Sequence, residues 1–336
     1  MTEVPTRLFW VERGESGARL VAPEELGDYL GRDDGWVWLD IPELDAATGT
    51  WLGERLGVHP RAVDDALARN HIARVHHYRD SLFMALHRPL SGASGHVHYL
   101  ELDLFVGPGY LVTTHGPRNP VVPLTELLVE TNDVADRLLA GRLVPESPVA
   151  LTYALVAAIT NAQERLVNHY AREVGLLEQR VMTERDQEHP QAFLDELFTT
   201  RHTLLTVRTM ALQGSEVMTR ARRLMAGDLS PGDHDLILDM EDQYHRLAGI
   251  TSAQLEFLHG VTDFYRARND TRMTIAGERL AVIAAITLPV TAISSVMGMN
   301  VIVNDSTHWP WVVALVALMG ALSVWLLVWA RRQGWW

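Results

Sequence analysis

The residues best placed to do chemistry are three hydroxyls in a stretch without charge. Thr287, Thr291 and Ser294 are spaced four and three apart within LAVIAAITLPVTAISSVM (280–297). On a helix that spacing puts them on one face. Small and hydroxyl side chains in an apolar run belong at a helix contact or at a wet surface, where their oxygens can meet a hydrated ion. One such helix cannot enclose a pore, whereas several copies around an axis can. Tight helix packing without a pore is the competing reading, and spacing leaves the two level. Histidines form a second group: His71, His76, His77, His96, His98 and His308 have the chemistry of soft-metal ligands. In a strand, His96 and His98 point to the same side. None of the six lies in the uncharged stretch, and ligand type without geometry does not make a site. HHYRD (76–80) comes nearest to a catalytic cluster, but no Gly-rich phosphate loop, nucleophile elbow or paired-His helix motif accompanies it. A membrane-anchored enzyme is therefore not expected.

Two kinds of element must position these residues. FWVERG, WVWLDI, SLFMALHRPL, HVHYLELDLFVG and YLVTTHG are short runs rich in β-branched and aromatic residues, and they predict strands. APEELGDYL and HPRAVDDAL read as helices between them, the second with Pro60 in its first turn. From about 148 onward the strand signal ends. Apolar periodicity predicts one long helix over 148–185 and another over 190–226. AGDLSPGD (226–233) breaks the pattern, and a third run begins near Asp233. If that run reaches Asn300 it measures about 100 Å at 1.5 Å per residue, too long for one globule.

Residues 280–297 and 309–330 (WPWVVALVALMGALSVWLLVWA) carry no charge, and each is near the roughly 20 residues that a bilayer core requires. Trp309, Trp311, Trp325 and Trp329 edge the second run as an aromatic belt. Arg266, Arg268, Arg272 and Arg279 precede the first run and Arg331 and Arg332 follow the second, while the connection VIVNDSTHWP has no basic residue. The positive-inside rule then puts both termini in the cytoplasm.

Composition narrows the function further. All but one of the 42 acidic residues and all but two of the 29 basic ones lie before residue 281, so the part before the spans is strongly acidic. Such a surface attracts cations and does not suit nucleic acid. The absence of cysteine excludes thiolate metal sites, and the absence of lysine excludes Schiff-base chemistry. The N-terminal segment lacks the long apolar run of a signal peptide.

LPVTAISSVMGMN (288–300) resembles the signature of the CorA magnesium transporter family: a span with Pro, then Thr two residues later, ending in Gly-Met-Asn before a short loop and a second span. WVWLDI, LGVHPRAVDDAL and LFVGPGYLVTTHGP look, more loosely, like that family's α/β domain. The resemblance implies an α+β membrane protein in a homopentamer. It implies a cytoplasmic α/β domain (1–145), a long-helix funnel and stalk (146–279) and a pore-lining span (280–300). An extracytoplasmic loop (301–308), a second span (309–331) and a cytoplasmic tail (332–336) follow. The protein would be a multi-pass protein of the cell membrane, inner or plasma, and its partners further copies of itself, lipid and divalent ions.

By the same resemblance, Gly298, Met299 and Asn300 form the outer selectivity filter. Thr291, Leu288, Ala284, Leu280, Gly277 and Asp263 follow down the pore. Asn300 and Asp263 would meet transported metal, and Asp239, flanked by Asp235 and Asp242, regulatory Mg²⁺ between subunits. For the acids, a solvated helix face is the plain alternative. Three departures are notable. Gly277 stands where the family often has a bulky apolar gate, which moves the narrowest point to Leu280 or Met273. Glu278 replaces a common basic residue. The turn SGASGHVHYLELD offers His96 and His98 and no acid before Asp103. Mg²⁺ is the expected cargo and regulator. Co²⁺, Ni²⁺ or Zn²⁺ transport on the same scaffold is the alternative, against which Met299 argues.

Overall fold

The computed structural model describes residues 6–14, 18–183, 190–227, 229–298 and 309–332. The chain divides into two compact units, Met1–His259 and Gly260–Trp336.

The first unit is built on a seven-stranded sheet. Its strands are β1 (Arg7–Glu12), β2 (Ala18–Val21), β3 (Gly35–Ile41), β4 (Arg74–Tyr78), β5 (Ser81–Ser91), β6 (Val97–Gly107) and β7 (Tyr110–His115). The order is β2-β1-β3-β7-β6-β5-β4, with β3 and β7 parallel and every other pair antiparallel. The five apolar runs in the sequence are β1, β3, β5, β6 and β7. All seven residues of β3 and all six of β7 are buried, which explains their near-continuous hydrophobicity: a sheet covered on both faces has no polar side. The runs missed by that reading are the edges. β2 is four residues long, and β4 (RVHHY) exposes His76 and His77, so neither reads as a buried strand.

Two layers of helix cover the sheet. On one face, α2 (Ala46–Leu56) and α3 (Pro60–Leu67) place Leu52, Val58, Ala62 and Ala66 against Leu39, Phe83, Phe105 and Val112. Asp45 caps α2 by accepting from Thr48 N at 2.7 Å, and Gly57 ends it at φ 68°, where a side chain would be strained. The segment APEELGDYL, expected to be a helix, makes only a 3₁₀ turn (Pro23–Glu25) and a single α turn, α1 (Leu26–Tyr29). On the opposite face lie α4 (Leu124–Leu127), α5 (Val129–Leu139), α6 (Pro148–Met182), α7 (Pro190–Leu224) and the first part of α8 (Pro231–Gly298). Leu82, Met84 and Val106 of the sheet meet Val149 of α6, Met218 of α7 and Met240 of α8 there. Gly214 of α7 makes room for the buried ring of Tyr244 on α8, since a Cβ at that glycine would run into the ring. The three long periodic runs of the sequence are thus α6, α7 and α8.

Polar anchors fix these layers. Asp40 is fully buried and accepts from Arg7 Nη2 at 2.5 Å and from Thr113 Oγ1 at 2.7 Å. Ser147, the cap of α6, donates to Asp233 in the first turn of α8. Arg88 Nε stands 2.8 Å from Glu130 Oε1, a buried ion pair that ties β5 to α5.

The second unit contains the remainder of α8 and α9 (Trp309–Arg332). By length and composition, one helix among the described residues is able to cross a membrane: the stretch of α8 through Ser295, whose most apolar window has a mean hydropathy of 1.5 and is almost wholly exposed in the single chain. Pro289 sits inside this helix. It removes one backbone N–H, and the hydroxyls on either side of it serve the same ladder: Thr287 Oγ1 donates to Ile283 O and Thr291 Oγ1 to Thr287 O, each at 2.8 Å.

Candidate ion pathway and regulatory acids

Six of the residues expected to line a pore lie on the described part of α8: Asp263, Gly277, Leu280, Ala284, Leu288 and Thr291. At about 100° per residue they fall within an arc of roughly 100° on the helix, and Gly298, its last residue, falls in the same arc. Met273 shares the arc too. Leu280 and Leu288 are 67% and 66% exposed, so among the described residues little covers this part of the stripe. Asp263 is exposed and stands 3.8 Å from Arg266, one turn away, a solvated pair of little energetic weight. Met299 and Asn300 lie outside the described residues, as does His308.

The other expected acids lie on α8 within the first unit. Asp235, Asp239 and Asp242 are all exposed, on successive turns. Asp239 is held. Gln243 Nε2 donates to its Oδ2 at 2.7 Å and to the Tyr153 hydroxyl oxygen of α6 at 3.2 Å. Tyr153 first, and then Gln243, keep the Asp239 carboxyl below the usual carboxylate range, so it remains an anion. Among the described residues, no three His, Asp or Glu side chains converge as a metal site.

Among the described residues, the histidines do not converge as a soft-metal centre. His96 caps the 3₁₀ turn before β6 and His98 sits in β6, with ring centroids 4.6 Å apart, edge to face. They line a cavity of about 400 Å³ together with His71, His202 and Glu101. HHYRD is no catalytic cluster: it is the end of β4 and the turn into β5, with Arg79 at φ 53° and the Tyr78 ring stacked on His59.

Three features went unread in the sequence. Glu101 and Asp103 are both buried on β6, and Asp103 is unavailable to any surface ion. The α/β layer is not short of surface acids, because Asp64 and Asp65 of α3 supply two; Asp65 accepts from Tyr78 Oη at 3.1 Å and pairs with Arg74 at 3.3 Å. Tyr153 carried no signal at all, since it meets Gln243 from a position 90 residues away.

The family profile described as "CorA-like Mg2+ transporter protein" matches residues 33–332. This chain belongs to that family, and it is a divalent-cation transporter, not an enzyme. It is 23% identical over 309 residues to the putative metal ion transporter YfjQ of Bacillus subtilis (strain 168), covering 90% of this chain and 91% of that one. It is 22% identical over 313 residues to the cobalt/magnesium transport protein CorA of Thermotoga maritima, covering 88% and 86%. Its fold matches the complete structure of the CorA magnesium transporter from Methanocaldococcus jannaschii with a TM-score of 0.79 at 15% identity, over all of both chains.

Proposed function

We propose that the chain is a magnesium channel that admits Mg²⁺ passively through the axis of a homopentamer. The observation that carries this reading is the single stripe on α8, Gly277–Leu280–Ala284–Leu288–Thr291, uncharged, with Gly277, Leu280, Leu288 and Thr291 exposed, and leading in sequence to Gly298, Met299 and Asn300. An exposed apolar surface of that extent needs cover, from lipid or from other copies. Five copies facing inward would turn the stripe into a pore wall, with α9 as an outer membrane-spanning ring and both termini in the cytoplasm.

The chemistry suits Mg²⁺. The ion keeps its waters and demands octahedral oxygen geometry. A ring of Asn300 amide oxygens and Gly298 carbonyls would hydrogen-bond the hydrated ion without stripping it, and neutral oxygens let it leave. Leu288 and Leu280 would form rings that close by dewetting, with Gly277 too small to do so. Asp263 would concentrate cations at the cytoplasmic mouth. Neither uncharged run (280–297 or 309–330) carries an ionisable residue to relay protons, and no ATPase motif accompanies them, which supports flow down the gradient. A negative interior drives a divalent ion inward with about 2.3 kcal/mol per charge per 100 mV.

Cytoplasmic Mg²⁺ would be the regulator. Asp239, with Asp242 one turn on, would hold an ion between adjacent copies, stabilise a closed symmetric state and shut the pore by population shift. A second reading has support in the relative from Thermotoga maritima, described as a cobalt/magnesium transporter: Co²⁺, Ni²⁺ or Zn²⁺ as cargo on the same scaffold. Planar-bilayer recording tests the proposal. Currents that reverse at the Mg²⁺ equilibrium potential, and that fall as Mg²⁺ is added on the side of the α/β domain, are expected. Currents carried by Zn²⁺ or Co²⁺ alone favour the second reading.

A further inference from the structure

Two exposed apolar stripes in the helical layer repeat every seven residues. On α7 the residues are Phe198, Leu205 and Leu212, and on α8 they are Ile250 and Phe257. Seven residues are close to two helical turns, so each set keeps to one face. Glu216 and Arg220 continue the first stripe at four-residue steps, and Arg246 and Asp242 continue the second, all four exposed. The stripes occupy different flanks. α7 packs on α8 through Arg208 Nε, which donates to Ser252 Oγ at 2.8 Å, and through Thr219 Oγ1, which donates to Glu241 Oε1 at 2.7 Å. Arg246 and Ile250 instead line a cavity with Tyr153, Asn161 and Glu164 of α6. Within one chain the second stripe thus lies on the α6 side of α8, away from α7. The same bonds set the heights of the antiparallel helices, with position 208 level with 252 and 219 level with 241. On that scale Leu205 and Leu212 stand within about two residues, roughly 3 Å along the axis, of the levels of Phe257 and Ile250. Glu216 stands as near to the level of Arg246, and Arg220 to that of Asp242. Apolar faces apolar and acid faces base at every step.

In a ring whose axis runs along these helices, copies are related by rotation alone, so residues at one height on one copy meet residues at the same height on the next. We infer that the α7 stripe of one copy seats on the α8 stripe of its neighbour, Leu205 on Phe257, Leu212 on Ile250, Glu216 on Arg246 and Arg220 beside Asp242. The occupant is a second copy of this chain, because all these pairs match in charge and polarity without any axial shift. The two stripes differ, so the contact is heterologous and runs on round a ring instead of stopping at a dimer. The inference rests on the reading of the chain as a ring of five copies and names a surface that closes it. The seam passes Asp239 and Asp242, where the regulatory cation is proposed to lie between copies. Its strength comes mainly from the apolar side chains, since exposed ion pairs add little energy and chiefly fix the register.

The chain has no cysteine, so introduced pairs report without background. The test uses the full-length protein in detergent, oxidised with copper phenanthroline and run on a non-reducing denaturing gel. The double variant Leu212→Cys with Ile250→Cys should give a ladder of linked chains that ends at five. Glu216→Cys with Arg246→Cys is a second pair at the same seam, and it serves if the first folds poorly. Each single variant should stay monomeric on the gel, and the two singles co-expressed should stop at dimers. Dimers from a single variant overturn the inference in favour of like-to-like pairing. Cross-links confined to one chain, or none in either pair, in a protein that light scattering weighs as five copies overturn the seam and leave the homopentamer standing. A native protein that weighs as one chain overturns both.

Discussion

Glu101 and Asp103 stand two residues apart on β6, so both carboxyls project from the same face of the sheet into the interior beneath α3. Glu101 has partners: it accepts from Asn70 N at 3.0 Å and Asn70 Nδ2 at 2.5 Å. Asp103 is fully buried beside the Glu101 carboxyl. Burial first, then the Glu101 charge, holds the Asp103 carboxyl well above the usual carboxylate range. A raised folded-state value means that folding favours the proton. Stability is then greatest below the unfolded value, about 3.9, and declines as pH rises toward the folded one. Asp103→Asn cannot ionise, so its thermal midpoint should fall less than the native one as pH rises above about 4. Parallel pH profiles for the two proteins would show that Asp103 ionises freely in the fold.

The Arg7–Asp40 pair joins β1 to β3 and, through Thr113 and the Trp38 indole N–H (3.0 Å from Thr113 Oγ1), to β7. Removing the buried partner leaves the rest of the network unsatisfied. Asp40→Ala should destabilise the first unit by about 3 kcal/mol, read as a lowered thermal midpoint. A change within half a kcal/mol would mean that Arg7 and Thr113 find water instead.

Leu288 is the bulkiest apolar residue near the middle of the stripe on α8. If rings of Leu288 close the pore by dewetting, Leu288→Ser should let water persist there and raise basal Mg²⁺ influx into dye-loaded liposomes several-fold. Unchanged influx would move the constriction to Leu280 or Met273.

His96 and His98 pack ring to ring beside Gly92, and no third ligand stands in place among the described residues. Replacing both with Ala should leave the ranking of Mg²⁺, Co²⁺, Ni²⁺ and Zn²⁺ as competitors for transport unchanged. A selective loss of Zn²⁺ or Ni²⁺ transport would make the cavity they line a metal site.

Much of this was legible in the sequence because it depends on local pattern. Strands buried on both faces write continuous apolar runs, as WVWLDI does for β3, and the long helices write a 3.6-residue period. The single-face arrangement of Gly277, Leu280, Ala284, Leu288 and Thr291 follows from spacing alone. What stayed hidden depends on burial or on distant partners. β4 is half exposed, α2 (AATGTWLGERL) mixes Thr and Gly with its apolar positions, and the fate of Asp103 is decided by the helices above it. Tyr153 and Gln243 meet only because α6 and α8 pack side by side.

The central claim is a pore whose selectivity depends on the signature amide, and one measurement tests it most directly: Mg²⁺ influx into liposomes holding the purified protein, with Asn300→Ala beside it. Native influx that the substitution abolishes, in a variant that still assembles, is the expected result. Equal influx with and without Asn300, or none with the native protein, would contradict the account.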